Sequence, residues 1–98
     1  MSLSTRSEID ATVIAVANDT VSGWDIDLPN GITIDTRLME DLAFESIDVV
    51  QFAVSIEQAV GRKGLPFEKL FMKDGDYVDD VALSEVSSFL CGELGVRS

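Results

Sequence analysis

The fifteen residues SIDVVQFAVSIEQAV, positions 46 to 60, carry apolar side chains at Ile47, Val49, Val50, Phe52, Ala53, Val54, Ile56 and Val60 and stop at Gly61. So apolar a run must be covered by other parts of a short chain, and that requirement governs the rest of the fold. Its β-branched content suits a strand. Its length and the serine at its start favour a helix, mostly buried by its neighbours. Gly61 and Gly64 end it, with Arg62 and Lys63 beside the negative end of the helix dipole.

Other segments have the pattern to cover it. Residues 5–18 place Ile9, Val13, Val16 and Ala17 at helical spacing with Ile14 alongside, beginning near Ser4 or Thr5. Asn18, Asp19 and the Ser22-Gly23 pair end that helix. Residues 80–94 repeat the pattern with Val81, Leu83, Val86, Phe89, Leu90 and Leu94, capped through Asp79 or Asp80. Pro66 opens a short helix near 67–72 with Phe67, Leu70 and Phe71 on one side, and KDGDY follows as a turn. Between the first two helices, DIDLPNGITID alternates Ile26, Leu28, Ile32 and Ile34 around a Pro-Asn-Gly turn, a signal for a minor hairpin within the long loop 24–35. The expected fold is all-α: a small four-helix bundle, three longer helices and one short, in a single domain over residues 1–98.

Charge narrows the function. Seven Lys and Arg stand against eighteen Asp and Glu, a formal net charge of −11. Such a surface repels nucleic-acid phosphates and anionic lipid heads and attracts basic patches on proteins. The chain has no histidine, which removes the commonest general acid–base and the commonest metal ligand. No zinc set, Gly-rich phosphate loop or Ser-His-Asp set can be assembled, so neither a metal site nor an enzyme is expected. A single cysteine, Cys91, fits a reducing compartment. MSLSTRSEID has no apolar core of signal-peptide length and no run approaches a membrane span, so a cytoplasmic monomer is expected.

Ser46 is the residue that carries chemistry. Its simplest reading is an N-cap, a hydroxyl accepting from the free amides of the first turn. The surrounding residues Asp41, Leu42, Ala43, Phe44, Glu45, Ser46, Ile47, Asp48, Val49 and Val50 form a pattern that resembles the prosthetic-group motif of the acyl carrier proteins. The order of the elements, a long loop before the motif and a short and a terminal helix after it, resembles that family over roughly the whole chain. The resemblance implies a 4′-phosphopantetheine arm on Ser46, installed from coenzyme A by a phosphopantetheinyl transferase, and an acyl group carried on that arm as a thioester. It implies docking through Asp41, Glu45, Ile47, Asp48 and Glu57 onto basic patches of the transferase and of acyl-loading and acyl-transferring enzymes of fatty-acid, lipid or polyketide-type biosynthesis.

The chain also departs from the family pattern. Ala43 stands where Gly is usual and Glu45 where Asp is usual, and Gln51 and Gln58 take two positions usually acidic. Much of the negative charge lies in the loop instead, at Asp25, Asp27, Asp35, Glu40, Asp41 and Glu45. These departures point to a specialised carrier. An aminoacyl or peptidyl carrier is the alternative within the class, and an acidic helical adaptor without an arm is the alternative outside it.

Four further features carry less. Asp74, Asp76 and Glu85 fall at positions 1, 3 and 12 of a calcium loop, but Val78 and Asp79 replace a ligand and the required glycine. Cys91 reads as a small apolar residue. Arg62, Lys63, Lys69 and Lys73 form a basic cluster, read as a solvated helix end, and Trp24 as a lid on the core.

Overall fold

A computed structural model describes residues 5–24, 28 and 31–96. The described residues are mostly helical: α1 (Arg6–Thr20), α2 (Ser46–Val60), α3 (Glu68–Phe71) and α4 (Leu83–Leu94), with a two-stranded ribbon of β1 (Met72–Lys73) and β2 (Asp76–Tyr77) between α3 and α4. Helix α1 is the hub, packing on both α4 and α2, while α3 leans on α4.

α1 begins where the sequence places it. Thr5 is the N-cap, and its Oγ1 accepts from the Glu8 amide at 3.2 Å. Ile9, Val13, Val16 and Ala17 form the buried stripe. The helix runs two residues past the expected end at 18. Asn18 and Thr20 donate their side chains to the carbonyls of Ile14 and Val16, at 3.1 and 2.8 Å, and so remain helical instead of breaking the turn.

α2 has its expected bounds, 46–60, and Gly61 caps it in the left-handed region at φ 72°. Its burial differs from expectation. Only Phe52 and Ile56 are buried, while Ile47, Val50 and Val54 are 64, 61 and 47% exposed. The helix is anchored along one side and bare along the other.

The two minor elements also depart from the sequence reading. The ribbon stands where only a turn is expected: Met72 pairs with Tyr77 and Lys73 with Asp76. Asp74 and Gly75 have φ 54° and 87°, the two positive values that let a two-residue loop follow the twist of paired strands. Of the hairpin expected in 24–35, residues 25–27, 29 and 30 lie outside the described residues. The described remainder contains no strand, and Leu28, Ile32 and Ile34 pack half-buried against the core.

α4 starts at Leu83, three residues later than expected, with Ala82 rather than Asp79 or Asp80 as its N-cap. The preceding residues are extended and pair across the molecule. Arg37 and Ala82 form an isolated antiparallel bridge, Leu38 donates to the Val81 carbonyl at 3.0 Å and Leu83 to that of Thr36 at 2.9 Å. Each fully buried Leu or Phe of the shared core contributes about 1.5–3 kcal/mol. Leu38 and Leu42 of the loop join Phe52, Leu83 and Leu90 of the helices there, so the loop before Ser46 is part of the core.

Candidate functional site

The approach to Ser46 is fixed from behind. The Asp80 carboxylate accepts three backbone amides, from Met39 at 2.9 Å, Glu40 at 3.1 Å and Val81 at 2.8 Å, and so ties the loop to the lead-in of α4. Asp41 Oδ2 accepts from the Arg37 amide at 2.8 Å and tightens the same turn. Ala43 then takes φ 57°, a left-handed conformation that a β-carbon disfavours. The reversal lets Phe44 donate its amide to the Leu38 carbonyl at 2.9 Å. The Phe44 ring is buried edge-to-face between Trp24 and Phe52, with centroids 5.6 and 5.8 Å away. Trp24 remains partly exposed and closes this ring cluster from outside.

Ser46 itself does not cap the helix. The N-cap is Glu45, whose carbonyl accepts the Val49 amide at 3.1 Å, and the Asp48 carboxylate accepts the Glu45 amide at 2.8 Å. That return bond is half of a capping box and satisfies the Glu45 amide, so the helix start is fixed without the serine hydroxyl. Ser46 is the first helical residue. It is exposed, and among the described residues its hydroxyl has no hydrogen-bond partner. The amides of Ser46 and Ile47 likewise donate to no described residue, as befits the open first turn of a helix.

Beside that hydroxyl lies a cleft of about 680 Å³ between α2 on one side and α3 with the ribbon on the other. Phe44, Val49, Ala53, Phe67 and Phe71 supply apolar walls, and Ser46 stands on its rim. Met72 and Tyr77 of the ribbon line it too, together with the carboxylates of Glu45, Glu68 and Asp79. This is a concave, mostly apolar hollow with a few polar groups, the usual form of a small-molecule site.

Asp41, Glu45, Ile47 and Asp48 fall within the turn and first helical turn around Ser46. Glu57 lies eleven residues on, about 16 Å along the helix axis. Its carboxylate accepts the Leu65 amide at 2.9 Å and holds the chain leaving α2. The basic residues Arg62, Lys63, Lys69 and Lys73 are exposed, and none forms an ion pair with a described residue. Cys91 is buried and free, as its apolar neighbours imply. Asp74 lies in the ribbon turn, Asp76 in β2 and Glu85 in the first turn of α4, so the three acidic calcium-loop positions belong to three different elements. Among the described residues no cluster of three or more metal-ligating side chains occurs, and no helix is long and apolar enough to cross a membrane.

Several residues of the site escape a linear reading. Asp80 acts across forty-one positions of chain, which no local pattern reveals. Met72 and Tyr77 reach the cleft because Asp-Gly makes a hairpin of what reads as a turn, and that dipeptide is the available signal. No protein-family model matches the chain, and no curated protein matches it.

Proposed function

We propose that this chain is an acyl carrier, a non-catalytic cytoplasmic protein that holds an acyl group on a 4′-phosphopantetheine arm attached to Ser46. One observation carries the reading: the exposed Ser46 hydroxyl has no capping duty and stands on the rim of an apolar cleft. A serine kept only to start the helix would be bonded to the first-turn amides, whereas here Glu45 and Asp48 start it.

The surroundings fit the group. The open amides of Ser46 and Ile47, at the positive end of a fifteen-residue helix, suit the oxygens of a phosphodiester. Ser46 has no adjacent base, so a transferase must take its proton as the serine oxygen bonds to phosphorus and 3′,5′-ADP leaves coenzyme A. The arm, once attached, supplies a thiol that binds the acyl group as a thioester. Phe44, Val49, Ala53, Phe67 and Phe71 offer apolar walls for the cargo. Such walls favour an alkyl acyl group over a charged aminoacyl one. Three longer helices, α1, α2 and α4, and a short α3 between the last two agree with the element order that the resemblance implies.

The test is direct. Incubation with coenzyme A and a broad-specificity phosphopantetheinyl transferase adds one phosphopantetheine, read by intact-mass spectrometry, and Ser46→Ala abolishes the gain. No added mass with several transferases overturns the reading.

A further inference from the structure

We propose that Asp80 is a positioning residue for the reaction at Ser46: its carboxylate keeps Ala43 in the left-handed turn that presents the serine to an enzyme. This role rests on the carrier reading above and adds to it a residue from the lead-in of α4, outside the pattern of residues around Ser46.

The link runs through Met39. Its amide donates to Asp80 Oδ1 at 2.9 Å, and its carbonyl accepts the Ala43 amide at 3.1 Å. The Glu40 amide donates to Oδ2 of the same carboxylate at 3.1 Å, and Asp80 is itself half-buried. Neither the Met39 nor the Glu40 amide has another partner among the described residues. Asp80 thus holds the turn from outside, while the buried side chains of Leu38, Leu42 and Phe44 hold it from the core. Met39 and the neighbouring Asp79 both line the cleft, so the clamp stands at the back of the site.

Ala43 is the reason that this holding matters. A residue with a β-carbon at φ 57° persists only where its surroundings over-determine it. Without the carboxylate, the Met39 and Glu40 amides turn to water, the turn gains freedom and Ala43 relaxes out of the left-handed region. A changed dihedral there redirects the chain three residues before Ser46. The helix remains, because Glu45, Asp48 and the buried Phe52 and Ile56 hold it. What falls is the share of molecules whose hydroxyl is correctly presented. An enzyme that accepts only that share binds more weakly by the same factor, while turnover of the complex, once formed, is unchanged.

The experiment measures steady-state transfer from coenzyme A by a broad-specificity phosphopantetheinyl transferase, at a temperature where melting curves show each chain folded. The chains are wild type, Asp80→Ala, Asp80→Asn, Asp80→Ala combined with Ala43→Gly, and Val13→Ala. Val13 is buried in α1 and does not line the cleft, so its truncation lowers stability without touching the clamp. The expected result is a KM raised about tenfold by Asp80→Ala and about threefold by Asp80→Asn, with kcat kept within about twofold. Glycine bears no steric penalty at positive φ, so the double variant regains about threefold of the lost KM. Val13→Ala leaves KM within about twofold of wild type, since lost stability does not alter a chain that is folded during the assay. Where Asp80→Ala does not fold, Asp80→Asn decides by the same criterion. A KM unmoved at position 80, raised as much by Val13→Ala, or unrecovered in the double variant overturns the positioning role, while modification of wild type still upholds the carrier. Absence of any mass gain on wild type overturns the carrier reading and the positioning role with it.

Discussion

The carboxylate of Asp80 accepts the amide of Met39 at 2.9 Å, joining residues forty-one positions apart and holding the loop that delivers Ser46. With the Glu40 and Val81 amides on the same carboxylate, Asp80 accepts from three backbone amides at once. Asp80→Ala is expected to destabilise the fold by about 2–3 kcal/mol, since several charge-assisted hydrogen bonds are lost together. Asp80→Asn, with one accepting oxygen, falls between. Urea denaturation of the three proteins checks the order.

Ala43 stores strain at φ 57° just before the site. A left-handed alanine costs about 1–2 kcal/mol, and the added freedom of an unfolded glycine offsets about 0.4–1 kcal/mol of the relief. Ala43→Gly is therefore expected to stabilise, by up to about 1 kcal/mol, and to raise Tm by several degrees in a chain of this size. A lowered Tm would mean that the alanine methyl makes a contact worth more than the strain.

Ser46→Ala should leave stability nearly unchanged, because Glu45 and Asp48 start the helix. Asp48→Ala removes the return bond to the Glu45 amide and is expected to cost about 1 kcal/mol, the usual value of a lost cap. Paired thermal melts distinguish this from a capping serine, for which the sizes would be reversed.

Ser87 is fully buried in α4, and its hydroxyl has no hydrogen-bond partner among the described residues. Burying such a group costs about 1–3 kcal/mol. Ser87→Ala is expected to raise stability by about 1 kcal/mol, and an equilibrium denaturation curve shifted to lower urea would refute it.

Self-repulsion is the remaining lever. Among the described residues two ion pairs occur, Arg6–Asp10 at 3.0 Å and Arg37–Glu40 at 3.9 Å, both local in sequence, against a formal net charge of −11. Screening shortens the reach of the repulsion to about 8 Å at physiological ionic strength. Tm is expected to rise between dilute buffer and moderate salt, and a flat response would show the acidic groups too dispersed to interact.

What could be read from the chain follows the range of the forces involved. The stripe Ile9, Val13, Val16 and Ala17 and the bounds of α2 are local periodicities, and both are present in the fold. Ser46 and Glu45 are adjacent, and deciding which one caps depends on where Asp48 turns, a choice among side-chain rotamers that spacing does not display. The start of α4 shifts because Val81 and Ala82 are taken by pairing with the loop, a long-range competition with the helix. The exposure of Ile47, Val50 and Val54 was illegible for a different reason. Apolar periodicity reports that a face prefers cover and does not say whether that cover comes from the same chain.

The two walls of the cleft differ in how they are built. One is a fifteen-residue helix packed on α1, while the other is a four-residue helix continued by strands of two residues each. Elements so short do not hold their form alone. The second wall is held on α4 by contacts such as Phe67 on Phe89, with centroids 5.1 Å apart, and is closed on itself by the Val78 amide on the Phe71 carbonyl at 2.9 Å. It is therefore expected to open as a separate unit, its amides exchanging with solvent at a lower free energy than those of α1 or α4 in a hydrogen-exchange measurement. The width of the cleft beside Ser46 is accordingly set by its weaker wall, which local opening can change while the remaining helices stay folded.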